Sequence, residues 1–455
     1  MLTKPDQVIV ESMVGRARDV LPELYAKTQE EVDEIVRLIA KAVYDNAEML
    51  SELAVSETGM GNVPDKIIKC HMKSQLIYAD LKDRKTVGMI DYNPKSGVVE
   101  IAEPVGVVGA LIPTTNPAVT AMSNAMFALK GRNAIVLSPH KRAFRTIAKT
   151  VELMKGAARD AGLPEDAIQL VKTPSREGTR ILMASVDVVL ATGGQAMVKA
   201  SYESGTPSFG VGPGNVPVVI HESADIDAAT ARIVTGRAYD NGLICASEQA
   251  AFVPRAKADA VLESFSNQGA HVVTEEEREK LEALMWLDDH LNPDIVGKSA
   301  SDIARMAGFH VDGRTKVLLV RTSKISADHV FSREKLSPVL ALYEYDVFEE
   351  AIQGAISILK NGGVGHTAAI HCEDKEIATR FAIHVPASRV IVNQSTATNA
   401  GGSRENGLVP TTTMGCGSWG NNATTDNVTV DQVINIKRLA FRHEEPRDTS
   451  LVFAA

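Results

Sequence analysis

From about residue 104 onward, short β-rich runs alternate with longer runs of helical apolar spacing, and this alternation limits the fold more than any other feature. VGVVGALIP precedes a helical run through MSNAMFALK, and AIVLS precedes AFRTIAKTVELMKGAARDAG. AIQLVK leads to REGTRILMA, and VDVVLAT leads to TGGQAMVKAS. Strand–helix alternation at this spacing predicts parallel βαβ units, hence an α/β fold. The second half repeats the style less regularly through KVLLV, VLALYEY, TAAIH and RVIVN. Ahead of the alternation, Val32, Ile35, Val36, Ile39, Val43, Leu50 and Leu53 keep helical spacing, which predicts one or two amphipathic helices. TVGMIDYNPKSGVVEIAEP places a turn-like NPKSG between two β-rich runs and reads as a hairpin. A chain of 455 residues exceeds one small core. With no internal repeat and no Pro/Gly-rich linker, two interlocked α/β domains are expected.

Composition narrows the function. The formal net charge is −9, with both signs scattered, so the clustered basic face of a nucleic-acid binder is missing. No run approaches the ~18 apolar residues of a membrane span, and MLTKPDQVIV does not read as a signal peptide. A cytoplasmic location is expected. The four cysteines (Cys70, Cys245, Cys372, Cys416) lie far apart without CxxC spacing and read as reduced thiols.

Three pattern matches carry little. GCGSWG fits G-x-G-x-x-G, but polar NNATTDN follows where a dinucleotide fingerprint would enter an apolar helix. Gly297-Lys298-Ser299 resembles the end of a P-loop, yet Asn292 stands at the required upstream glycine. His366 and His371 are five apart, on opposite faces of a strand, so with Cys372 they make no metal site; none is expected.

Other segments have more to offer. Cys245, in YDNGLICASEQ, sits at a loop-like junction where a thiol can be reached and activated. TTNP follows the strand-like VVGALIP, where α/β proteins place ligand contacts. Asn116 there either donates its amide to an oxyanion or makes an Asx-type turn before proline. ATGG ends a strand and opens a helix, which suits a diphosphate. SGTPSFGVGPGNVP is too glycine-dense for regular structure and reads as a shaped loop against a ligand or another domain.

In order along nearly the whole chain, ETGMG, PVGVVGALIPTTNP, SPH, ATGG, FGVGPGN, YDNGLICASEQ, EKLSPVL, GHTAAIH, SRVIVN and GCGSWGNN resemble the CoA-acylating aldehyde dehydrogenases. That group includes succinate-semialdehyde enzymes and the aldehyde-oxidising half of bifunctional aldehyde–alcohol dehydrogenases. The resemblance implies a Rossmann-like cofactor domain (1–85 and 104–236) and an α/β catalytic domain (237–424). It also implies a small β oligomerisation element (86–103 and 425–455), in a homodimer or homotetramer. It makes Cys245 the nucleophile and Asn116 an oxyanion donor, with Thr115 a rival because ungapped alignment to P-W-N-F-P places the asparagine one residue late. Thr192, Gly193 and Gly194 would meet the diphosphate of NAD or NADP, and Glu334 the nicotinamide ribose. His366 matches a histidine suspected of assisting thiol chemistry. Ser138, Pro139, His140 and Lys141 occupy the turn that meets the adenosine ribose, where relatives carry a glutamate against a 2′-phosphate; Lys141 implies use of both cofactors.

Hydrolytic relatives activate water with a glutamate in an E-L-G-G-K-type loop. Here the loop reads V-G-P-G-N, with Val211 at that place and no carboxylate between Glu203 and Glu222. Coenzyme A is therefore the expected acyl acceptor. Alternatives are a hydrolytic enzyme releasing free acid and a catalytically silent assembly subunit. The expected substrates are acetaldehyde or a short anionic aldehyde (succinic semialdehyde, sulfoacetaldehyde), the latter paired with Arg404.

Overall fold

A computed structural model describes residues 5–442 except residue 289. The expected alternation forms two parallel sheets. In the first, the strand order is Ile168–Leu170, Ala134–Pro139, Val107–Ile112, Val188–Thr192, Ser208–Val211. All its pairings are parallel. The chain adds strands on one side of Val107–Ile112, then crosses to the other side. Two strands on either side of such a reversal leave a crevice at their carboxyl ends. Here those ends lead into Thr114–Asn116 and into Gly193–Gly194.

The second sheet has seven parallel strands: Ala270–Val272, Val317–Arg321, Val339–Tyr345, Glu248–Pro254, Val216–Ile220, Gly365–His371, Ala387–Val392. Its strands bury both faces by strict alternation. Ala250 and Phe252 enter one core, while Ala251 and Val253 enter the other. Val216–Ile220 already belongs to this sheet, so the change of sheet falls between residues 211 and 216, ahead of residue 236. Only the four residues 212–215 separate the carboxyl end of one sheet from the amino end of the other.

The N-terminal periodicity resolves into helices Gln29–Asp45 and Ala47–Thr58. Thr28 and Glu31 close the first with a reciprocal capping box, and Val32, Ile35, Val36, Ile39 and Val43 form its buried stripe. Each such side chain contributes about 1.5–3 kcal/mol on leaving water. Helix Pro117–Lys130 is buried on every side, as its small and apolar composition requires. The hairpin forms as expected from Gly88–Asn93 and Val98–Pro104, and Ile434–Ala440 joins it antiparallel. Residues 443–455 of the expected oligomerisation element lie outside the described residues. No described helix is long and apolar enough to cross a membrane.

Candidate active site

The site is built where the two sheets meet. Cys245 sits three residues before strand Glu248–Pro254, just after a tight turn. Asp240, Asn241 and Gly242 are consecutively left-handed (φ 48°, 55° and 72°). Asp and Asn tolerate this region better than other residues with side chains. Gly242 is also required sterically, because a Cβ there would stand 2.6 Å from the Ser337 carbonyl carbon. The turn presents Cys245 half-buried, as a free thiol.

The glycine-rich segment lies against it. A Cβ at Gly214 would stand 2.0 Å from the Cys245 carbonyl oxygen and 3.3 Å from the His366 ring. The glycines of this loop thus admit a close approach to the backbone of Cys245 itself. Gly214 N–H donates to Glu334 Oε1 (3.1 Å), so a carboxylate distant in sequence is brought to the loop. The Asn215 amide donates to the carbonyls of Ser332 (2.7 Å) and Ile358 (2.8 Å), anchoring the loop's far end. Val211 is buried at the end of its strand.

The electrostatics oppose a resting thiolate. Burial, then Glu334 and Cys416, push the Cys245 thiol up to about 12, while Arg389 acts the other way. Burial raises the Glu334 acid to about 7 against the Gly214 N–H and the cations Arg237 and Lys335. Arg389 is buried with carbonyl partners: His366 (2.8 Å), Gly415 (2.5 Å) and Thr425 (2.9 Å). His366 is wholly buried, its Nδ1 shares a hydrogen bond with Thr367 Oγ1 (2.9 Å), and its Nε2 has no partner among the described residues. Burial and then Arg389 hold it down to about 3, so it is neutral.

Asn116 caps helix Pro117–Lys130 without using its side chain as a cap. The Asx-turn alternative is thereby excluded as the occupation of Oδ1, which instead accepts from Lys69 Nζ (2.6 Å). The Thr115 carbonyl accepts from Lys66 Nζ (3.5 Å). Both residues line a small cavity with Ser51, Lys66, Lys69 and Cys70.

For a dinucleotide, the residues after Val188–Thr192 fit. Helix Gln195–Glu203 begins at Gly194 with no side-chain cap, and a Cβ at Gly194 would meet no atom within 4 Å. Open space before the first N–H groups of a helix suits a diphosphate. Gly193 N–H already donates to the Val211 carbonyl (3.3 Å). Thr192 Oγ1 pairs with Thr413 Oγ1 (3.1 Å). Ser138 pairs with Thr179 (3.0 Å), and Pro139 ends its strand. His140 Nδ1 accepts from Arg142 N–H (3.2 Å), leaving Lys141 and Arg142 exposed. Arg404 is exposed and donates to Gln75 (3.0 Å) on helix Val63–Leu81; no described hydrogen bond or ion pair links it to Cys245.

Sequence reasoning passed over Lys66, Lys69, Asp240 and Arg389. A signal existed for two of them. Lys66, Lys69 and Lys73 recur at helical spacing in DKIIKCHMKS, and all three are buried.

The chain belongs to the aldehyde dehydrogenase family, whose model matches residues 2–284. It is 44% identical over 443 residues to a succinate-semialdehyde dehydrogenase (acetylating) of Clostridium kluyveri, covering 97% of this chain and 98% of that one. Its fold matches an acetylating aldehyde dehydrogenase of Geobacillus thermoglucosidasius with TM-score 0.95 at 41% identity, over 98% of both chains. It also matches a Rhodopseudomonas palustris propionaldehyde dehydrogenase, determined with bound CoA and an acylated cysteine. There the TM-score is 0.86 at 28% identity, covering 95% of this chain and 97% of that one.

Proposed function

We propose that this enzyme oxidises a short aldehyde with NAD or NADP and passes the acyl group from Cys245 to coenzyme A. The observation that carries the reading is the loop 211–215. It lies on the nucleophile's backbone and presents buried Val211 and two glycines where water activation would need a carboxylate. Glu334, the carboxylate acting most strongly on the thiol, is tied to the Gly214 N–H.

In this mechanism, Cys245 attacks the aldehyde carbon as the thiolate. The Asn116 amide, with the Cys245 backbone N–H, receives the oxyanion. A nicotinamide bound beside Cys245 would supply the hydride acceptor for the oxidation. The thioester left on Cys245 then exchanges with the CoA thiol. A thiol ionises far more readily than water and needs no strong base. Arg389 supplies a buried positive charge that favours the Cys245 thiolate against the larger effects of burial and Glu334. Gly194 and the helix after it would hold the dinucleotide diphosphate, Glu334 the nicotinamide ribose, and Lys141 the adenosine ribose.

The substrate is an aldehyde with an anionic tail, such as succinic semialdehyde or sulfoacetaldehyde. Supporting this, Lys66 and Lys69 line the cavity at Thr115 and Asn116, and Arg404 adjoins the same helix. The enzyme works as a homo-oligomer through the three-stranded sheet, which leaves Met89, Tyr92, Leu439 and Phe441 exposed together near one another in sequence or pairing.

Acyl-CoA and free acid measured side by side test the reaction. Aldehyde oxidation should need CoA, yield the thioester, and vanish in Cys245→Ala. Free acid formed at a comparable rate without CoA refutes the acyl acceptor, and substantial turnover by Cys245→Ala refutes the nucleophile.

A further inference from the structure

Helix Val63–Leu81 ties together two loops that both serve the reaction. Lys69 Nζ donates to Asn116 Oδ1 (2.6 Å) and to Asp240 Oδ2 (2.5 Å). Lys66 Nζ donates to the same Asp240 oxygen (3.0 Å) and lies 3.5 Å from the Thr115 carbonyl. Asp240 is fully buried, accepts from the Asn62 N–H on Oδ1 (3.1 Å), and begins the left-handed turn that delivers Cys245. Its own N–H donates to Asp65 (2.7 Å), again on this helix.

We infer that Lys69 is a positioning residue that aims the Asn116 carboxamide, and that Asp240 registers this aim to the nucleophile's turn. The inference rests on Asn116 being the oxyanion donor. An ammonium only donates hydrogen bonds, so it must meet the oxygen of the carboxamide and never its nitrogen. The flip ambiguity of an asparagine is thereby removed, and the Nδ2 hydrogens face the opposite way. Among the described residues, that nitrogen donates to no protein acceptor, and the side chain is not spent on capping its helix. An unbonded N–H pair with a fixed direction is what a developing oxyanion requires. The Lys69 ammonium on the oxygen end of the amide also polarises it, which strengthens its N–H groups as donors.

Kinetics on Lys69→Met, Asn116→Ala and the double variant test this in the full-length enzyme, with succinic semialdehyde, CoA and NAD. Asn116→Ala should lower kcat by about 10²–10³-fold, the usual loss of one oxyanion donor. Lys69→Met should lower kcat by about tenfold or more, with KM for CoA and NAD nearly unchanged. In the Asn116→Ala background the same change should cost less than about twofold, because the group being aimed is gone. Lys69→Arg, which keeps a charged donor, should recover most of the loss. Alkylation of Cys245 by iodoacetamide should proceed in Lys69→Met as in the parent. If Lys69→Met does not fold, Lys69→Gln, whose shorter carboxamide can present either its donor or its acceptor and so no longer fixes the Asn116 direction, carries the same cycle. Losses that multiply independently, or an unaffected kcat in the Lys69 variant, overturn the positioning role while leaving Asn116 as oxyanion donor. Full turnover by Asn116→Ala overturns that assignment, and the positioning role with it.

Discussion

Replacing Gly214 by alanine adds one methyl group at a tight contact of the site. Its Cβ would stand 2.0 Å from the Cys245 carbonyl oxygen and 3.0 Å from its carbonyl carbon, with the His366 ring at 3.3 Å. Gly214 is not among the residues with positive φ, so the backbone accepts alanine and the penalty is purely steric. The clash is with backbone, which cannot swing aside as the end of a long side chain can. Restoring an ordinary carbon–oxygen separation moves the Cys245 peptide or the loop by about 1 Å, and displacement on that scale costs on the order of 10²-fold in rate. Overpacking of a well-filled site costs about 1–3 kcal/mol in stability. The same shift weakens the Gly214 N–H to Glu334 hydrogen bond. Gly214→Ala should therefore lower kcat by about 10²-fold and lower the Tm, while Cys245 alkylation by iodoacetamide changes rate. Gly212→Ala in the same loop is the control. A Cβ there meets no atom within 4 Å, so Tm and alkylation should match the parent. Wild-type kcat and Tm in Gly214→Ala would refute the close approach of this loop to Cys245.

Stability should fall on both sides of a middle pH range. Burial raises Glu248 and Glu334 to about 7, so folded protein holds their protons more tightly than unfolded. That stability is complete below the unfolded value near 4.3 and lost as pH rises through about 7. Glu248→Gln should flatten the decline, seen as Tm measured from pH 5 to 8. His366 and His371 are held down to about 3 by burial. Their contribution is present above the unfolded value near 6.5 and lost as pH falls toward 3, so His371→Gln should flatten the acid limb of urea denaturation. Lys141→Glu should shift the NADP-to-NAD ratio of kcat/KM toward NAD by about fivefold at low salt and less at high salt, since the side chain is exposed. An unchanged ratio removes this turn from the phosphate site. Arg404→Ala should lower kcat/KM for succinic semialdehyde relative to acetaldehyde; an unchanged preference leaves Arg404 as the surface partner of Gln75.

The sequence by itself determined the α/β class, the hairpin, the parallel units and the membership of the family, because those depend on local periodicity and on ordered motifs. Val32, Ile35, Val36, Ile39 and Val43 bury as their spacing requires, and the runs from VGVVGALI to VDVVLAT become neighbouring strands. Cys245 was legible for a similar reason: its motif marks a junction between helix and strand. Tertiary structure alone decided what surrounds it. Glu334 meets Gly214 across 120 positions, Lys69 meets Asp240 across 171, and Arg389 reaches the carbonyls of Gly415 and Thr425. No local pattern encodes such pairs, since they arise when the carboxyl ends of one sheet are brought against the amino ends of another. Burial then does what composition could not show: it drives the thiol up to about 12 and the Glu334 acid to about 7, because the low-dielectric junction disfavours whichever form is charged.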